Sequence, residues 1–271
     1  MYTRQDLRNA EKRTASERAA IVLKYVENHN LADYRFSVSS SYVCQSHDQK
    51  TPKEPVTATP VAPELCFGTV LEQLEKQEPG DTVCILNFGS YLKGGGEFGN
   101  GFISTDEEKL CQCSNLYPIL RSKEIEEKYY DLNSKINPVK PYGPRILYVP
   151  EVVFFGKDRD IRADVLTCSI PGVAVLQQYV GNAEAVMRTT MVHRFTTALG
   201  LAYQQGADVV IMGCFGCETN GNDPWYSYAT LKKVVESKYQ YCFKKIIVTM
   251  NDKRYFMISA GGAKSRRAND S

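Results

Sequence analysis

An apolar run leads directly into a glycine-rich loop at residues 82–96, which read TVCILNFGSYLKGGG. The run from Thr82 to Phe88 predicts a buried strand, because it is largely apolar and follows the chain-breaking pair Pro79-Gly80. Three consecutive glycines, Gly94, Gly95 and Gly96, allow backbone amides to approach a ligand with no side chain in the way. The stretch therefore predicts a ligand-binding loop at the carboxyl end of a sheet strand.

A second apolar run, at residues 207–212, leads into another loop that is rich in glycine and asparagine. This loop, residues 213–224, reads GCFGCETNGNDP and precedes a helix expected from Tyr226 to Ser237. Open α/β sheets bind ligands at the carboxyl ends of their strands, and amide nests beside helix N-termini favour phosphate. A tight turn explains either loop alone equally well, but the two together favour a phosphate site. Neither loop has the G-x-G-x-x-G spacing of a standard dinucleotide fold.

Apolar strands and amphipathic helices alternate through the rest of the chain. Helices are predicted at residues 3–29, 65–76 and 182–205, and strands at residues 145–149, 164–168 and 245–250. Residues 34–63 hold four prolines and three consecutive serines, which favours extended segments and loops. This alternation predicts an α/β fold with a mixed, largely parallel sheet covered by helices on both faces.

Composition narrows the class of protein. The 271 residues include 43% hydrophobic and 24% charged side chains, which is typical of a folded domain, and a net charge of +2 argues against a nucleic-acid partner. No secretory signal or membrane-spanning run is recognised, so a cytoplasmic location is expected. Nine cysteines, an odd number, favour reduced thiols. Cys214 and Cys217 have the spacing of a redox pair, a weak signal when it stands alone.

An acidic cluster, Asp106-Glu107-Glu108, follows the triple glycine at the start of a predicted helix. Acidic residues in a first turn are stabilised by the helix dipole, which is a sufficient structural explanation for them. Cleavage of a glycosidic bond, however, needs a carboxyl group beside a ribose that becomes oxocarbenium-like. Adjacent helical residues point about 100° apart, so the two glutamates cannot flank a sugar as a glycosidase pair does.

These motifs together resemble those of a known family. The matching segments are Asn87-Phe88-Gly89-Ser90, Gly94-Gly95-Gly96, Glu107-Glu108, Leu110-Cys111, Ser114-Asn115-Leu116-Tyr117-Pro118, Tyr148-Val149-Pro150-Glu151-Val152 and residues 213–224. In order and spacing they resemble the microbial branch of the poly(ADP-ribose) glycohydrolases, macrodomain proteins whose signature is a triple glycine followed by Gln-Glu-Glu. The resemblance runs from about residue 65 to residue 250.

The resemblance implies a three-layer α/β/α macrodomain. The expected organisation is an N-terminal helical extension and linker at 1–63 packed on the core, an ADP-ribose-binding catalytic core at 64–260 and a flexible tail at 261–271. Glu108 matches the catalytic glutamate, and Glu107 matches the neighbour that holds the distal ribose. With Asp106 as a third catalytic candidate, the expected substrate-binding residues are Asn87, Ser90, Gly94, Gly95, Gly96, Glu97, Gly213, Phe215, Gly216, Cys217, Glu218, Thr219, Asn220, Gly221, Asn222 and Asp223. No metal or cofactor is implied.

The departures from the family pattern concern the leaving-group side of the expected pocket. Asp106 replaces the glutamine of the signature, and the gap after Gly96 is slightly longer than is usual in the family. In the second loop, Glu218 replaces a usual glycine and Asn220 stands where an aromatic residue is usual. An acidic pocket suits removal of a single ADP-ribose from arginine, because a carboxylate pairs with a departing guanidinium, and Glu97 and Asp106 are the candidates for that role. The expected partners are therefore ADP-ribosylated proteins or ADP-ribose polymer, with no nucleic acid or membrane, and a monomeric enzyme.

Other functions remain open from the sequence. The same loops suit a poly(ADP-ribose) glycohydrolase, a non-catalytic ADP-ribose reader or a nucleotide-dependent oxidoreductase. Cys44 with His47, and Cys111 with Cys113, each offer half of a zinc site.

Overall fold

The computed structural model describes residues 3–9, 13–45, 52, 54–135, 145–217, 221–254 and 256–257. Within them the strands are β1 (Tyr42–Cys44), β2 (Glu64–Phe67), β3 (Val83–Phe88), β4 (Ile146–Phe155), β5 (Asp160–Cys168), β6 (Val209–Gly213) and β7 (Lys245–Met250). They form one sheet in the order β1-β4-β5-β3-β6-β7-β2. Strand β4 is antiparallel to both of its neighbours, and the other pairs are parallel. The expected mixed, largely parallel sheet is confirmed.

Helices cover both faces of this sheet. They are α1 (Arg4–Arg8), α2 (Ala15–His29), α3 (Leu31–Ser40), α4 (Val70–Leu74), α5 (Asp106–Gln112), α6 (Leu116–Leu120), α7 (Lys123–Ile125), α8 (Asp131–Ser134), α9 (Val173–Leu176), α10 (Ala183–Gln204) and α11 (Pro224–Val234). Side chains alternate along β3: Val83 and Ile85 belong to one buried cluster with α2, α5 and α6, whereas Cys84 and Leu86 belong to a second with α10 and α11. Two cores on opposite faces of one sheet make the three-layer α/β/α arrangement.

Two predictions for the N-terminal part were wrong. Residues 31–40, expected in part to be extended, form helix α3, whose Tyr34 and Val38 lie one helical turn apart and pack into the same core cluster. Residues 65–67, expected to begin a helix, belong to strand β2 (Glu64–Phe67) because this segment pairs in parallel with β7. Gly68, with φ of 129°, ends the strand before α4. The domain boundaries stay predictions, and the expected tail at 261–271 lies outside the described residues.

Strand β4 is longer than predicted and contains a bulge between Val149 and Val152, where its pairing register with β5 shifts. Glu151 occupies this bulge with φ of 54°, the one positive value at a non-glycine residue in the described chain. Its amide donates to Asp164 Oδ1 over 3.0 Å, and its carbonyl accepts from Ser37 Oγ over 3.4 Å. These two hydrogen bonds therefore hold the backbone of Glu151 in a left-handed conformation that a non-glycine residue disfavours.

Replacing Glu151 with glycine is expected to raise the free energy of unfolding by about 0.5–1 kcal/mol, because glycine adopts this conformation without steric cost. The exposed contact of Glu151 with Arg162, at 3.8 Å, contributes little to stability. Thermal unfolding of the variant measures the gain. Glu127→Gly, which places glycine in an exposed helical turn, is the matched control and should lower stability. A lower melting temperature for Glu151→Gly would contradict this account of the bulge.

Candidate active site

The start of α5 places three acidic residues at the carboxyl end of β3. Thr105 is the N-cap: its hydroxyl accepts from the Glu108 amide over 3.2 Å, while the Glu108 carboxylate accepts from the Thr105 amide over 2.9 Å. This capping box fixes the first turn of the helix, Asp106, Glu107 and Glu108. Glu107 and Glu108 are only 2% and 3% exposed, although ionised side chains at a helix N-terminus are ordinarily solvated.

The Glu107 carboxylate is held from two sides beneath the glycine-rich loop. Its Oε1 accepts from Asn87 Nδ2 over 3.2 Å, and its Oε2 accepts from the Ser90 amide over 2.8 Å. Burial raises the pKa of Glu107 to about 7, because desolvation outweighs these hydrogen bonds and another with the Gly95 backbone. Glu107 therefore exchanges its proton close to neutral pH.

The Glu108 carboxylate is in the opposite electrostatic state. Burial alone would raise its pKa, but hydrogen bonds from the backbone amides of Thr105, Glu97 and Ser104 and from the Ser104 hydroxyl outweigh burial and lower that pKa. These bonds are 2.8–3.0 Å long. Glu108 is therefore an anion at neutral pH. Two adjacent carboxyl groups with pKa values shifted in opposite directions are typical of catalytic sites.

Loss of charge at Glu107 should stabilise the protein in alkaline solution. Because the pKa of Glu107 in the folded state lies above its usual value of 4.5, its protonated form supports the fold fully below about pH 4.5, and this support disappears as the pH rises through 7. A shift of that size corresponds to a free energy on the order of 3 kcal/mol. Glu107→Gln should therefore melt well above the wild type near pH 8 and close to it near pH 5. Glu184→Gln, on the exposed face of α10, should show no such dependence, and parallel stability curves for Glu107→Gln would contradict the buried proton.

Both predicted loops line one cavity of about 350 Å³ that contains the two glutamates. Its walls comprise Phe88, Gly89, Ser90, Tyr91, Gly96, Glu97, Thr105, Asp106, Glu107, Glu108, Ser169, Ile170, Cys214 and Gly216. The second loop also touches the start of α5: a methyl group on Gly213 would overlap Asp106 Oδ2 and lie 3.1 Å from Asp106 Cγ. The two distant stretches therefore lie against each other around the carboxylates. A larger cavity, of about 580 Å³, adjoins this one and shares Asp106 with it.

The three glycines of the first loop have different surroundings. A methyl group on Gly94 would lie 2.7 Å from Leu120 Cβ, and one on Gly95 would lie 2.6 Å from Tyr117 Cδ2, so both glycines pack against α6. Gly96 faces the cavity, where a methyl group would lie 3.1 Å from Glu108 Oε1, and its φ is 54°. Gly94 and Gly95 thus bring the chain close to a helix, and Gly96 exposes backbone beside the carboxylate.

Predicted residues of the second loop divide between the cavity and the scaffold. The Phe215 side chain is buried in the core against Phe88, with ring centroids 4.9 Å apart. Asn222 holds the loop to the segment after β5 by accepting from the Val173 amide over 3.3 Å. Asp223 caps α11 by accepting from the Tyr226 amide over 2.8 Å.

Gly221, Asn222 and Asp223 line a different cavity, between α10 and α11. Glu218, Thr219 and Asn220 lie outside the described residues. Substrate contact by the residues at 218–223 stays a prediction.

A disulfide joins Cys214 to Cys217 within this loop. The expectation of reduced thiols is therefore wrong for these two cysteines, whereas the other seven are free. The spacing of two intervening residues brings the two sulfurs together once Gly216, with φ of 62°, turns the chain between them. Cys214 lines the glutamate cavity, and Cys217 is buried beneath it.

The remaining predicted residues lie near the glutamates in different ways. Asn87 is buried at 1% exposure and contacts Glu107 rather than the cavity. Glu97 is exposed at the cavity mouth, where it pairs with Lys93 Nζ over 3.1 Å and accepts from Asn100. Asp106 lies 3.6 Å from Lys109 Nζ, and burial raises its pKa despite that pair.

Sequence reasoning missed Gly89, Ser104 and Thr167. Gly89 lies between β3 and the triple glycine, and its position directly after the strand could have indicated its role. Ser104 supplies two of the donors to Glu108, which the pattern Ser104-Thr105 before the acidic cluster could have indicated. Thr167 Oγ1 accepts from Asn87 Nδ2 over 3.1 Å across neighbouring strands, a contact with no signal in the local sequence.

The described part of the chain contains neither a cluster of metal ligands nor a membrane-spanning helix. No group of three or more His, Cys, Asp or Glu side chains comes together there as metal ligands. Cys44 is buried in the core, and His47 lies outside the described residues. No helix among the described residues is long and apolar enough to cross a bilayer.

Solved structures share this fold. The chain is similar to poly(ADP-ribose) glycohydrolase from Thermomonospora curvata, with a TM-score of 0.79 and 19% identity. The similarity covers 91% of this chain and 98% of the Thermomonospora curvata chain. The same enzyme bound to the inhibitor ADP-HPD has a TM-score of 0.74 and 20% identity, with coverage of 92% and 98%. Poly(ADP-ribose) glycohydrolase from Deinococcus radiodurans, in complex with ADP-ribose, has a TM-score of 0.72 and 20% identity, with coverage of 84% and 97%.

Comparison at the sequence level identifies the family. No curated protein matches the chain. Residues 9–157, more than half of the chain, match the family described as microbial-type PARG, catalytic domain. This segment contains the triple glycine and both buried glutamates. The chain therefore belongs to the microbial-type PARG family of ADP-ribose glycohydrolases.

Proposed function

We propose that this enzyme removes a single ADP-ribose from arginine side chains of modified proteins. The observation that carries this proposal is the cavity between the two glycine-containing loops, where an anionic Glu108 lies beside a Glu107 that exchanges its proton near neutral pH. In this proposal the distal ribose enters the cavity and the backbone at Gly96 and Gly216 accommodates the diphosphate. Backbone amides suit phosphate because they offer donors without a competing side chain.

Glu108 acts at the anomeric carbon in this proposal. As an anion it stabilises the positive charge that develops on the ribose, and it accepts a proton from the water that attacks C1 of that ribose. Glu107 binds the ribose hydroxyls. Because a carboxyl group held as an anion is a poor proton donor, the geometry favours a leaving group that departs without acid catalysis.

Arginine provides such a leaving group. The guanidinium of ADP-ribosylated arginine already carries a positive charge, so cleavage of the ribose C1–N bond sends the bonding electrons to nitrogen and releases a neutral guanidine. The guanidine then takes up the proton that water gave to Glu108, which balances the reaction as ADP-ribose plus arginine. The pKa of a guanidinium lies far above that of a carboxyl group, so this uptake is strongly favourable.

The charge of the cavity supports the same substrate. Four acidic side chains, from Glu97, Asp106, Glu107 and Glu108, line it, and no lysine or arginine is among its described lining residues. Lys93 pairs with Glu97 and Lys109 pairs with Asp106, but neither lysine is a lining residue of the cavity. A cavity of this charge attracts a cationic leaving group and gives no advantage to a neutral one.

Membership of the microbial-type PARG family supports a second candidate, the cleavage of ribose–ribose bonds in ADP-ribose polymer. The leaving ribose oxygen of a polymer needs a proton, and Glu107 is the carboxyl group that retains one near neutral pH. Polymer cleavage should therefore slow as the pH rises above about 7. Arginine-linked ADP-ribose should instead be released more slowly only in acid, as Glu108 takes up a proton.

The test compares release of ADP-ribose from three substrates: a protein modified on arginine, a protein modified on acidic side chains, and ADP-ribose polymer. The proposal expects the highest kcat/KM for the arginine linkage, with an acid limb alone in its pH profile. Glu97→Gln and Asp106→Asn should lower kcat/KM for the arginine substrate more than for polymer. Faster cleavage of polymer, with an alkaline limb near pH 7, would replace this proposal with the second candidate.

The expected partners follow from this proposal. ADP-ribosylated proteins are the substrates, and a monomer suffices because every residue assigned a role belongs to one chain. Light scattering during size-exclusion chromatography tests the monomer directly.

A further inference from the structure

Asn87 and Thr167 form a buried pair behind Glu107. They are register partners in the neighbouring parallel strands β3 and β5. The Asn87 Nδ2 group lies 3.2 Å from Glu107 Oε1 and 3.1 Å from Thr167 Oγ1, so one amide nitrogen bridges the carboxyl group and the hydroxyl. Asn87 is 1% exposed and Thr167 is fully buried. Neither side chain therefore reaches the substrate cavity, although the sequence predicted Asn87 to bind substrate.

Glu107 requires different partners in its two protonation states. As a carboxylate it accepts from the Ser90 amide, the Asn87 amide nitrogen and the Gly95 backbone. Once protonated, its hydroxyl must donate to an acceptor or remain unpaired in a buried site, which is costly. Backbone N–H groups only donate. The Asn87 amide, in contrast, carries a donor at one end and an acceptor at the other.

The surroundings of Asn87 permit its amide to turn. In the present orientation Asn87 Oδ1 is buried and has no hydrogen-bond partner among the described residues, so rotation breaks no bond at that end. After rotation, Oδ1 faces both Glu107 and Thr167, and the threonine hydroxyl reverses from acceptor to donor. The bridge is thus kept in both orientations, and in each of them the other end of the amide is buried without a hydrogen-bond partner among the described residues.

We infer that Asn87, held by Thr167, is a positioning residue that turns its amide to keep Glu107 in one place whether or not Glu107 carries a proton. The inference deepens the proposed function, because it concerns the carboxyl group that binds the ribose. It assigns Thr167 to the active site and moves Asn87 from substrate binding to support of Glu107.

Few other titratable groups of the described chain face Glu107. Glu108 and Cys111 lie on the same helix, and Tyr130 approaches from the segment between α7 and α8. Burial raises the pKa of Cys111 and of Tyr130 well above their usual values, so both are neutral near pH 7. Of these neighbours only Glu108 is charged, and a change in the titration of Glu107 reports on Asn87 and Thr167.

The first test follows the protonation of Glu107 without any substrate. The infrared carbonyl band of a protonated carboxyl group, taken as the difference between wild type and Glu107→Gln, is recorded against pH. Asn87→Leu should raise the midpoint by roughly one pH unit, because the charge-assisted hydrogen bond that the anion loses is stronger than the neutral one that the protonated form loses. Thr167→Val should raise it by less. Thr249→Val is the matched control, since that buried threonine bonds to the Met212 carbonyl over 3.2 Å, and its midpoint should equal that of the wild type.

The second test asks whether the amide turns. Glu107→Gln mimics the protonated side chain permanently, because its amide nitrogen must donate where the carboxyl hydroxyl would. If Asn87 turns to accept that bond, adding Asn87→Leu to Glu107→Gln lowers the melting temperature by a few degrees. If the Asn87 amide is fixed as a donor, its nitrogen faces the amide nitrogen that Glu107→Gln introduces. Adding Asn87→Leu then raises the melting temperature. The second result would overturn the inference, as would unchanged infrared midpoints in both Asn87→Leu and Thr167→Val.

Kinetics separate this inference from the proposed function. Asn87→Leu should lower kcat about tenfold, because a displaced Glu107 holds the ribose less well in its reactive position. The Kd for ADP-ribose should change less than threefold, because the diphosphate contacts of the proposed binding mode do not involve Asn87, which does not line the cavity. An equal loss in both would restore Asn87 as a substrate-binding residue and overturn the inference. Shifted infrared midpoints in an enzyme that releases no ADP-ribose from arginine would sink the proposed function and leave this inference standing. Where Asn87→Leu does not fold, Thr167→Val, which keeps the shape of the side chain, decides between the outcomes.

Discussion

Replacing Glu108 with glutamine should lower kcat for ADP-ribose release by at least about 100-fold, the loss typical of a missing general base. The glutamine keeps the size of the side chain but cannot take a proton from water or oppose the charge on the ribose. In the proposed binding mode the diphosphate lies away from Glu108, so the Kd for ADP-ribose should change only a few-fold. Release measured under single-turnover conditions, together with calorimetric binding of ADP-ribose, gives both quantities.

Glutamine also alters the helix start, and this effect needs a control. The Glu108 carboxylate accepts hydrogen bonds at both of its oxygens, and the amide nitrogen of glutamine would face one of those donors. A stability loss of about 1 kcal/mol is therefore expected. Glu17→Gln makes the same change at the same capping-box position of α2, on an exposed surface, and should preserve activity. Release at the wild-type rate by Glu108→Gln would remove Glu108 from the mechanism.

The parts of the fold that the sequence predicted are those with a strong local signal. Strand β3 is a largely apolar run, which is typical of a buried strand, and the triple glycine marks the loop after it as a binding loop. Helix α3 and strand β2 had no such signal, because their structure depends on the strands beside them, and pairing with β7 overrides the helical pattern after residue 64. The bulge at Glu151 is likewise a product of the sheet rather than of the residue.

The structure brings part of the predicted set together in one cavity, namely Ser90, Gly96, Glu97, Asp106, Glu107, Glu108 and Gly216, and the sequence did not indicate the electrostatics of that cavity. Adjacent glutamates in a sequence look equivalent, yet the helical turn directs Glu107 toward β3 and Glu108 toward its own N-cap. One carboxyl group is desolvated and the other is surrounded by donors, so their pKa values separate. The same limit applies to Phe215 and Asn222, whose side chains pack inside although their loop faces the ligand cavity. A motif identifies a loop but does not fix which way each side chain points.

Gly89→Ala should disable the site through one methyl group. The φ of Gly89 is not positive, so alanine meets no backbone strain, and the effect is steric. The added methyl group would overlap Glu107 Oε1 and lie 2.8 Å from Glu107 Cδ. Since Glu107 is buried and bonded on both oxygens, it cannot move aside cheaply. We expect kcat/KM to fall by at least about tenfold, and the free energy of unfolding by about 1–3 kcal/mol, as overpacked cores typically lose.

The control for this substitution is Gly181→Ala, because a methyl group on Gly181 meets no atom within 4 Å and its φ is not positive. A second variant distinguishes a displaced Glu107 from a general disturbance of the loop. Adding Glu107→Asp to Gly89→Ala withdraws the carboxyl group by one methylene, so the double variant should regain part of the stability that Gly89→Ala loses. Strictly additive losses would mean that the methyl group acts elsewhere. In that case, the lack of a side chain at residue 89 would not explain how Glu107 reaches β3.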